Sequence, residues 1–443
     1  MTLFHAELAW LGGDAVQPDV LIETDGERIT SVTTEVQRAE GAVRLRGVTI
    51  PGLANAHSHC FHRALRGRTQ RERGTFWTWR EQMYAVAERL TPENYYVLAR
   101  ATYAEMALAG ITTVGEFHYV HHDAGGRPYN EPNAMGEALI AAAGDAGIRI
   151  TVLDTCYLTG GVGTELAGPQ VRFGDWDAER WAMRVDGLSE APHVRIGAAI
   201  HSVRAVPAAE MPTVVQWTEA KQTPLHFHLS EQRAENEACQ AAYGRTPTQV
   251  LADAGGLGAR SSAVHATHLT DGDIELLAGS RTNICMCPTT ERDLADGIGP
   301  ARRLASAGSP ITLGSDSNAI IDLFEEASAT ELDERLATEQ RGHFSAAELL
   351  RAASEDGQVS LGWDEAGRLE PGALADFVTV GLDSVRLAGT RPDAALEALV
   401  FAATAADVRS VVVAGREVVR GGQHLLVEDV AGQLDAAIKN LLP

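Results

Sequence analysis

The sequence predicts an α/β fold, a (β/α)8 barrel of the TIM type, with a small discontinuous β-sandwich domain built from both chain ends. Three observations predict it. Between residues 51 and 364, short apolar strands alternate with helical segments, the pattern of a parallel sheet covered by helices. Residues 1–50 and 365–443 instead carry strands and hairpin turns. Polar and titratable residues gather at the C-terminal ends of the central strands, where a closed barrel places its chemistry. A chain of 443 residues is long enough for this plan, because α/β barrels run as single units beyond the usual domain size.

In chain order, Val20 to Thr24, Asp25-Gly26 and Arg28 to Val32 form the first hairpin signal. The buried-strand run Val48-Thr49-Ile50 leads into Pro51-Gly52-Leu53-Ala54-Asn55-Ala56-His57-Ser58-His59 and reads as strand one of the barrel. Seven further strands are predicted at Thr112 to Phe117, Ile148 to Leu153, Val194 to Ile200, Pro224 to Phe227, Ser262 to Val264, Thr282 to Met286 and Pro310 to Leu313. Helical stretches lie between them at Pro92 to Ala109, Ala134 to Ala146, Ala178 to Leu188 and Met211 to Lys221. The Gly-rich connection from Tyr157 to Trp176 reads as a lid or a surface loop. Ala375 to Val380, Val408 to Val413 and a hairpin at Val413 to Val419 return to the β pattern.

Composition narrows the function. The net charge of −23 argues against nucleic acid and anionic membrane surfaces as partners. An anionic substrate would need a local basic pocket. Only Lys221 and Lys439 are lysines, so such a pocket would be arginine-built, which suits carboxylate forks. Five cysteines without a Cys-x-x-Cys pair fit a reducing cytoplasm. The N-terminal segment lacks the basic region of a signal peptide, and no apolar run is long enough to span a bilayer.

The strand ends carry the chemistry. Strand one ends in His57 and His59; alternate residues share a face, so both rings aim at one point, as a metal needs. Taken alone, the pair could equally be satisfied by backbone groups. Strand two runs into Glu116 and His118, strand four into His201 and Arg204, and strand five into His226, His228 and Glu231. Strand six ends in His265 and strand eight in Asp316. Polar tips at so many strands are hard to explain as packing, since each would need its own buried partner. His226 reads as a barrel-filling or supporting histidine, and His118, His121 and His122 as one loop open to solvent. Cys285 and Cys287 fit alternation in a buried strand better than metal ligation.

This constellation resembles the amidohydrolase superfamily, in its metal-dependent deaminase branch. The resemblance covers nearly the whole chain, including Gly367-Arg368-Leu369-Glu370-Pro371-Gly372-Ala373-Leu374-Ala375-Asp376 on the return to the flanking domain. It implies that His57, His59, His228 and Asp316 bind a divalent metal, that Glu231 shuttles protons, and that His265 and Asp316 orient and deprotonate the attacking water. Two-metal members commonly carry a bridging lysine at strand four; here that strand ends in His201, so one metal per chain is expected. Three imidazoles and a carboxylate with a position left for water suit zinc first, and iron(II) is compatible.

Longer phrases resemble one subfamily, the formimidoylglutamate deiminases of histidine degradation. They are His57-Ser58-His59-Cys60-Phe61-His62-Arg63-Ala64-Leu65, Phe76-Trp77-Thr78-Trp79-Arg80-Glu81, Glu116-Phe117-His118-Tyr119-Val120-His121-His122 and His201-Ser202-Val203-Arg204-Ala205-Val206. His62 departs from that pattern, which often has Gln there. The resemblance implies a small dianionic substrate bound by His62, Arg80, Tyr119, His201 and Arg204. It also implies a homodimer in which Arg80 reaches a neighbouring subunit's site. Two rival readings stand beside it: a nucleobase or S-adenosylhomocysteine-type deaminase, and a non-catalytic barrel scaffold. The scaffold would be expected to lack ligands; none of the four is missing here.

Overall fold

The computed structural model describes residues 1–70, 74 and 76–442, except for the side chains of Phe76 and Trp77. That part of the aromatic stretch before Arg80 therefore lies outside the described residues. The chain opens with β1 (Thr2–Ala9), β2 (Gln17–Asp25), β3 (Arg28–Thr33) and β4 (Val43–Pro51). The barrel strands are β5 (Leu53–Ser58), β6 (Ile111–His118), β7 (Arg149–Cys156), β8 (Val194–Ile200), β9 (Leu225–Leu229), β10 (Ser261–His265), β11 (Asn283–Met286) and β12 (Ile311–Leu313). The chain returns to β13 (Phe377–Val380), β14 (Val408–Val413), β15 (Arg416–Arg420) and β16 (Gln423–His424).

β5 to β12 stand side by side in sequence order, all parallel. Every residue of β6 and β7 is buried, as strands covered on both faces must be. The predicted helices appear at Pro92–Leu108, Ala134–Ala146, Ala178–Val185 and Met211–Lys221. The first starts where Thr91 accepts from the Asn94 amide and Asn94 reciprocates, with Pro92 at a position that needs no N–H donor. The two chain ends combine in one mixed sheet, ordered β16-β15-β14-β13-β4-β1-β2-β3. Its hairpins fall at the predicted turns, with Asp25 paired to Arg28 and Val413 to Arg416.

One element differs from the sequence reading. Val48-Thr49-Ile50 belongs to β4 in the end sheet, paired with β1 and β13, and a second strand carries His57. The chain crosses between sheets at Gly52, where a Cβ would lie 2.3 Å from Thr112 Oγ1. Both strands are buried, so one uninterrupted apolar run encodes two of them. The Arg149 guanidinium joins the two sheets by donating to both oxygens of the buried Asp376 carboxylate, at 2.6 and 3.2 Å.

The connection after β7 is a roof packed at its two ends, with Gly163, Thr164, Glu165, Ala167 and Gly168 exposed between them. Within it, buried Arg172 donates to the carbonyl oxygens of His122 (3.0 Å), Leu90 (2.8 Å) and Ala87. Those bonds fasten the connection to the helix Phe76–Arg89 and to the segment after β6. Among the described residues, no helix is long and apolar enough to cross a membrane.

Candidate active site

The site grows from the seam of the barrel. β12 is only three residues long, and beyond it the chain is held to β5 by single backbone bonds. Asp316 N–H donates to the His57 carbonyl and His59 N–H to the Asp316 carbonyl, each at 3.0 Å. Side chains finish the join: Asn55 Nδ2 donates to Ser315 Oγ at 2.7 Å, Ser315 Oγ to Asn318 Oδ1 at 2.6 Å, and Asn318 Nδ2 to the His59 carbonyl at 3.0 Å. Gly314 is required by contact, since a Cβ there would lie 2.8 Å from the His57 Cβ. Asp316 itself has φ +43°, a left-handed turn that re-aims its carboxylate into the barrel mouth.

His57, His59, His228 and Asp316, all buried, bring one ligand atom each within 4.8 Å of the others. The Nε2 atoms of His57 and His228 are 3.2 Å apart. Those of His57 and His59 are each 3.4 Å from Asp316 Oδ1. His59 Nδ1 donates to the Phe117 carbonyl and His228 Nδ1 to the His201 carbonyl, both at 2.9 Å. Those two bonds fix the tautomer and turn an unprotonated Nε2 inward. His57 Nδ1 has no hydrogen-bond partner among the described residues. Burial drives the His57 pKa down to about 3, so at neutral pH a proton does not supply the missing positive charge. Burial alone would raise the Asp316 carboxyl, but the neighbouring His57 imidazole more than reverses this. Neutral imidazoles and an ionised carboxylate converging without a guanidinium or ammonium group fit a divalent cation.

A ring of acids surrounds His265. Its Nδ1 faces Glu291 Oε1 at 3.3 Å, and its Nε2 lies 3.7 Å from Asp316 Oδ2 and 3.9 Å from Glu231 Oε1. Burial would lower this imidazole, but Glu231, Glu291 and Asp316 together hold it well above its usual value. Burial also raises the Glu231 carboxyl, against the pull of His265 and Arg204. Cys287 Sγ lies within reach of His265 and Asp316, but burial pushes its thiol up, so it stays protonated.

Opposite the cluster, a cavity is lined by His62, Arg80, Tyr84, Tyr119, Tyr157, His201 and Arg204, among others. His62 Nε2 and the Tyr119 hydroxyl are hydrogen-bonded at 2.9 Å. Burial, then the charge of Arg204, keeps His201 neutral. Arg204 makes no side-chain hydrogen bond or ion pair among the described residues. Burial would weaken its charge, but Glu235, Tyr157 and Glu231 preserve it. Arg80 lines the cavity of its own chain, its guanidinium 5.5 Å from the centre of the Tyr84 ring.

The structure thus brings the residues that the sequence assigned to metal, catalysis and substrate binding to one mouth, and it adds Glu291. Glu291 sits in the helix Pro288–Leu294 after β11, a strand to which the sequence reading assigned no catalytic residue. Glu116 accepts the Cys60 N–H at 2.7 Å and so fixes the turn after His59. His226 points away from the cluster, its Nε2 donating to the Ser360 carbonyl at 3.1 Å. The loop histidines correct an expectation: His118, His121 and His122 are each about 1% exposed and pack around a buried ion-pair network, not in solvent.

Residues 48–418 match the amidohydrolase family. The formimidoylglutamate deiminase of Pseudomonas aeruginosa is 36% identical over 419 residues, covering 92% of each chain. A 5-methylthioadenosine/S-adenosylhomocysteine deaminase from Pelotomaculum thermopropionicum is 29% identical, covering 94% of this chain and 92% of its own. Among solved structures, an amidohydrolase from Brucella melitensis superposes with a TM-score of 0.93 at 34% identity, each chain covered in full.

Proposed function

The chain belongs to the amidohydrolase family, and on that premise we propose that it hydrolyses N-formimidoyl-L-glutamate to N-formyl-L-glutamate and ammonia, a step of histidine degradation. The observation that carries this is Arg204: a guanidinium in the cavity with no protein carboxylate within ion-pair distance among the described residues. A charge held there without a partner is a receptor for an anion, and Arg80 on the same wall offers a second fork for a dianion. The 36% identical deiminase supports the same reading.

His57, His59, His228 and Asp316 would hold one divalent ion per chain, zinc by the donor set. When bound, such an ion polarises water and lowers its pKa toward ~7. The protein's own groups do the rest. His265, held in its charged form by Glu231, Glu291 and Asp316, donates a hydrogen bond that orients the attacking water, and the Asp316 carboxylate accepts the proton that water loses. Glu231, its carboxyl raised by burial, holds a proton at a carboxyl oxygen and gives it to the formimino nitrogen. As the added hydroxyl becomes the carbonyl it loses its proton, which Glu231 passes to the same nitrogen, and the C–N bond breaks to release ammonia. Arg204, Arg80, His201, Tyr119 and His62 position the two carboxylates and the backbone of the substrate.

We place the enzyme in a reducing compartment, the cytoplasm, because its five cysteines are all buried and unpaired. The family resemblance supports a homodimer, while the place of Arg80 in its own chain's cavity supports an intramolecular role for that side chain.

The test is ammonia release from formimidoylglutamate, guanine, cytosine and S-adenosylhomocysteine. Release from the first alone is expected. The deaminase relatives favour a nucleoside or nucleobase as the second reading, and release from one of those, with none from formimidoylglutamate, would establish it. Arg204→Met should raise KM for the dianion ~10-fold or more with little change in kcat; unaltered kinetics would clear Arg204 of carboxylate binding.

A further inference from the structure

Two phenols on the cavity wall, Tyr84 and Tyr157, have no part in the chemistry above. Tyr84 comes from the helix Phe76–Arg89 and Tyr157 from the start of the roof. Behind them lies the buried amide of Gln170. Its Nε2 donates its two hydrogens to the Tyr84 hydroxyl at 3.1 Å and the Tyr157 hydroxyl at 3.2 Å, and the Gly160 carbonyl at 3.4 Å shares one of them. Its Oε1 accepts the Ala167 N–H at 3.3 Å. That last bond settles which end of the amide faces the phenols: the donor end. The approach is close enough to require a glycine, because a Cβ on Gly160 would lie 2.8 Å from Gln170 Oε1.

The consequence is directional. A phenol oxygen that already accepts from an amide has its O–H left to give. Burial raises the Tyr157 phenol above its usual range, and the neighbouring Tyr84 hydroxyl adds to this, so it keeps that proton at any working pH and holds it between Tyr84 and the cavity. The backbone also sets Tyr157 beside Arg204. Leu158 N–H and Thr159 N–H both donate to the Ala205 carbonyl, at 2.7 and 2.9 Å, and Thr159 Oγ1 donates to the Arg204 carbonyl at 3.1 Å. The wall around Arg204 therefore presents hydroxyl donors next to guanidinium donors. A carboxylate has more lone-pair positions than one guanidinium fork fills.

We propose that the Tyr84 and Tyr157 hydroxyls, turned into the cavity by the Gln170 amide, are specificity-determining donors to the carboxylate that Arg204 binds. This rests on the dianionic-substrate reading and deepens it. A neutral purine edge, which mixes donors and acceptors, meets no matching acceptor at these phenols.

The experiment compares KM and kcat of wild type, Tyr84→Phe, Tyr157→Phe, the double variant and Gln170→Leu on three substrates. They are N-formimidoyl-L-glutamate and the two analogues that each lack one of its carboxylates, N-formimidoyl-2-aminobutyrate and 4-formimidoylaminobutyrate. Each Tyr→Phe change should raise KM for the dianion ~10-fold, as loss of a hydrogen bond to a charged group does, with kcat within about twofold and metal content intact. The effect should vanish on one analogue and persist on the other. Gln170→Leu should raise KM in the same direction with both phenols still present. An active wild type whose KM is unmoved in the double variant, or whose KM rises equally on all three substrates, overturns the phenol assignment alone. A wild type inert toward all three overturns the substrate reading and this assignment with it.

Discussion

Two buried histidine–aspartate clusters lie close together in this barrel, built from the same residue types and completed in different ways. In the first, His57, His59, His228 and Asp316 converge with no guanidinium or ammonium between them. In the second, His118, His121 and Asp154 also bring ligand atoms within 4.8 Å of each other, but Arg184 is there already. Its Nη1 and Nη2 donate to Asp154 at 2.9 and 2.8 Å, and its Nε and Nη2 to Asp175 at 2.9 and 2.8 Å. His122 adds a contact to Asp175 at 3.1 Å, and Trp181 Nε1 donates to Asp154 at 3.0 Å. Geometry alone nominates both clusters for a metal. Charge accounting separates them: one has its guanidinium in the protein, and the other, with no guanidinium or ammonium group among the described residues, is the one left able to take a metal ion.

Glu235 shows a third way to bury an acid. Neither of its carboxyl oxygens has a hydrogen-bond partner among the described residues, and burial pushes its pKa up to about 7. A proton neutralises this group below about pH 7.

Each solution can be broken separately, and the largest effect is expected at the first. Asp316→Asn should abolish ammonia release and strip the metal, measured by elemental analysis of purified protein, with the barrel still folded by circular dichroism. Full metal content in that variant would remove Asp316 from the ligand set. Glu231→Gln should keep the metal and lower turnover by ~10²-fold or more; an undiminished rate would take the proton transfer away from Glu231.

Arg184→Met should do the reverse of Asp316→Asn. It should leave metal content alone and lower stability by ~3–5 kcal/mol, because it strands two buried carboxylates. Denaturant unfolding measures this, and a metal-depleted but equally stable Arg184→Met protein would invert the comparison.

The smallest effect belongs to Glu235→Gln. Between the ordinary carboxyl value of 4.5 and about 7 the folded chain keeps a proton that the unfolded chain has released. The stability tied to that proton is full at low pH and is lost as pH rises through about 7. Glutamine needs no proton, so the variant should match wild type near pH 4 and exceed it by ~1–3 kcal/mol at pH 8. A constant difference across that range would contradict the assignment.

The strand tips were legible in the sequence because a barrel collects them at one end and a strand alternates its faces. That is why His57, His59, His228, His265 and Asp316 could be named as strand-tip candidates from their positions, while the family resemblance chose the ligand set from among them. What resisted reading was partnership over distance. Nothing near His118 to His122 announces that Asp154, Asp175 and Arg184 arrive from three later segments, so a buried network passed for a wet loop. Glu291 was hidden for a related reason: it sits in the helix after β11, where an acid looks like an ordinary first-turn residue. The boundary at Gly52 was hidden because two buried strands in different sheets obey the same apolar rule.

The seam between β5 and β12 carries one more consequence. Three of the four ligating side chains belong to the two segments that complete the circle, and the backbone joining them offers little more than two amide bonds. A divalent ion held by those side chains would act as a rivet across the seam, adding to the closure that those bonds already make. Amide hydrogen exchange at His59 and Asp316 should slow sharply when zinc is added back to chelated protein, while amides in the far wall, such as those of β7, keep their rate.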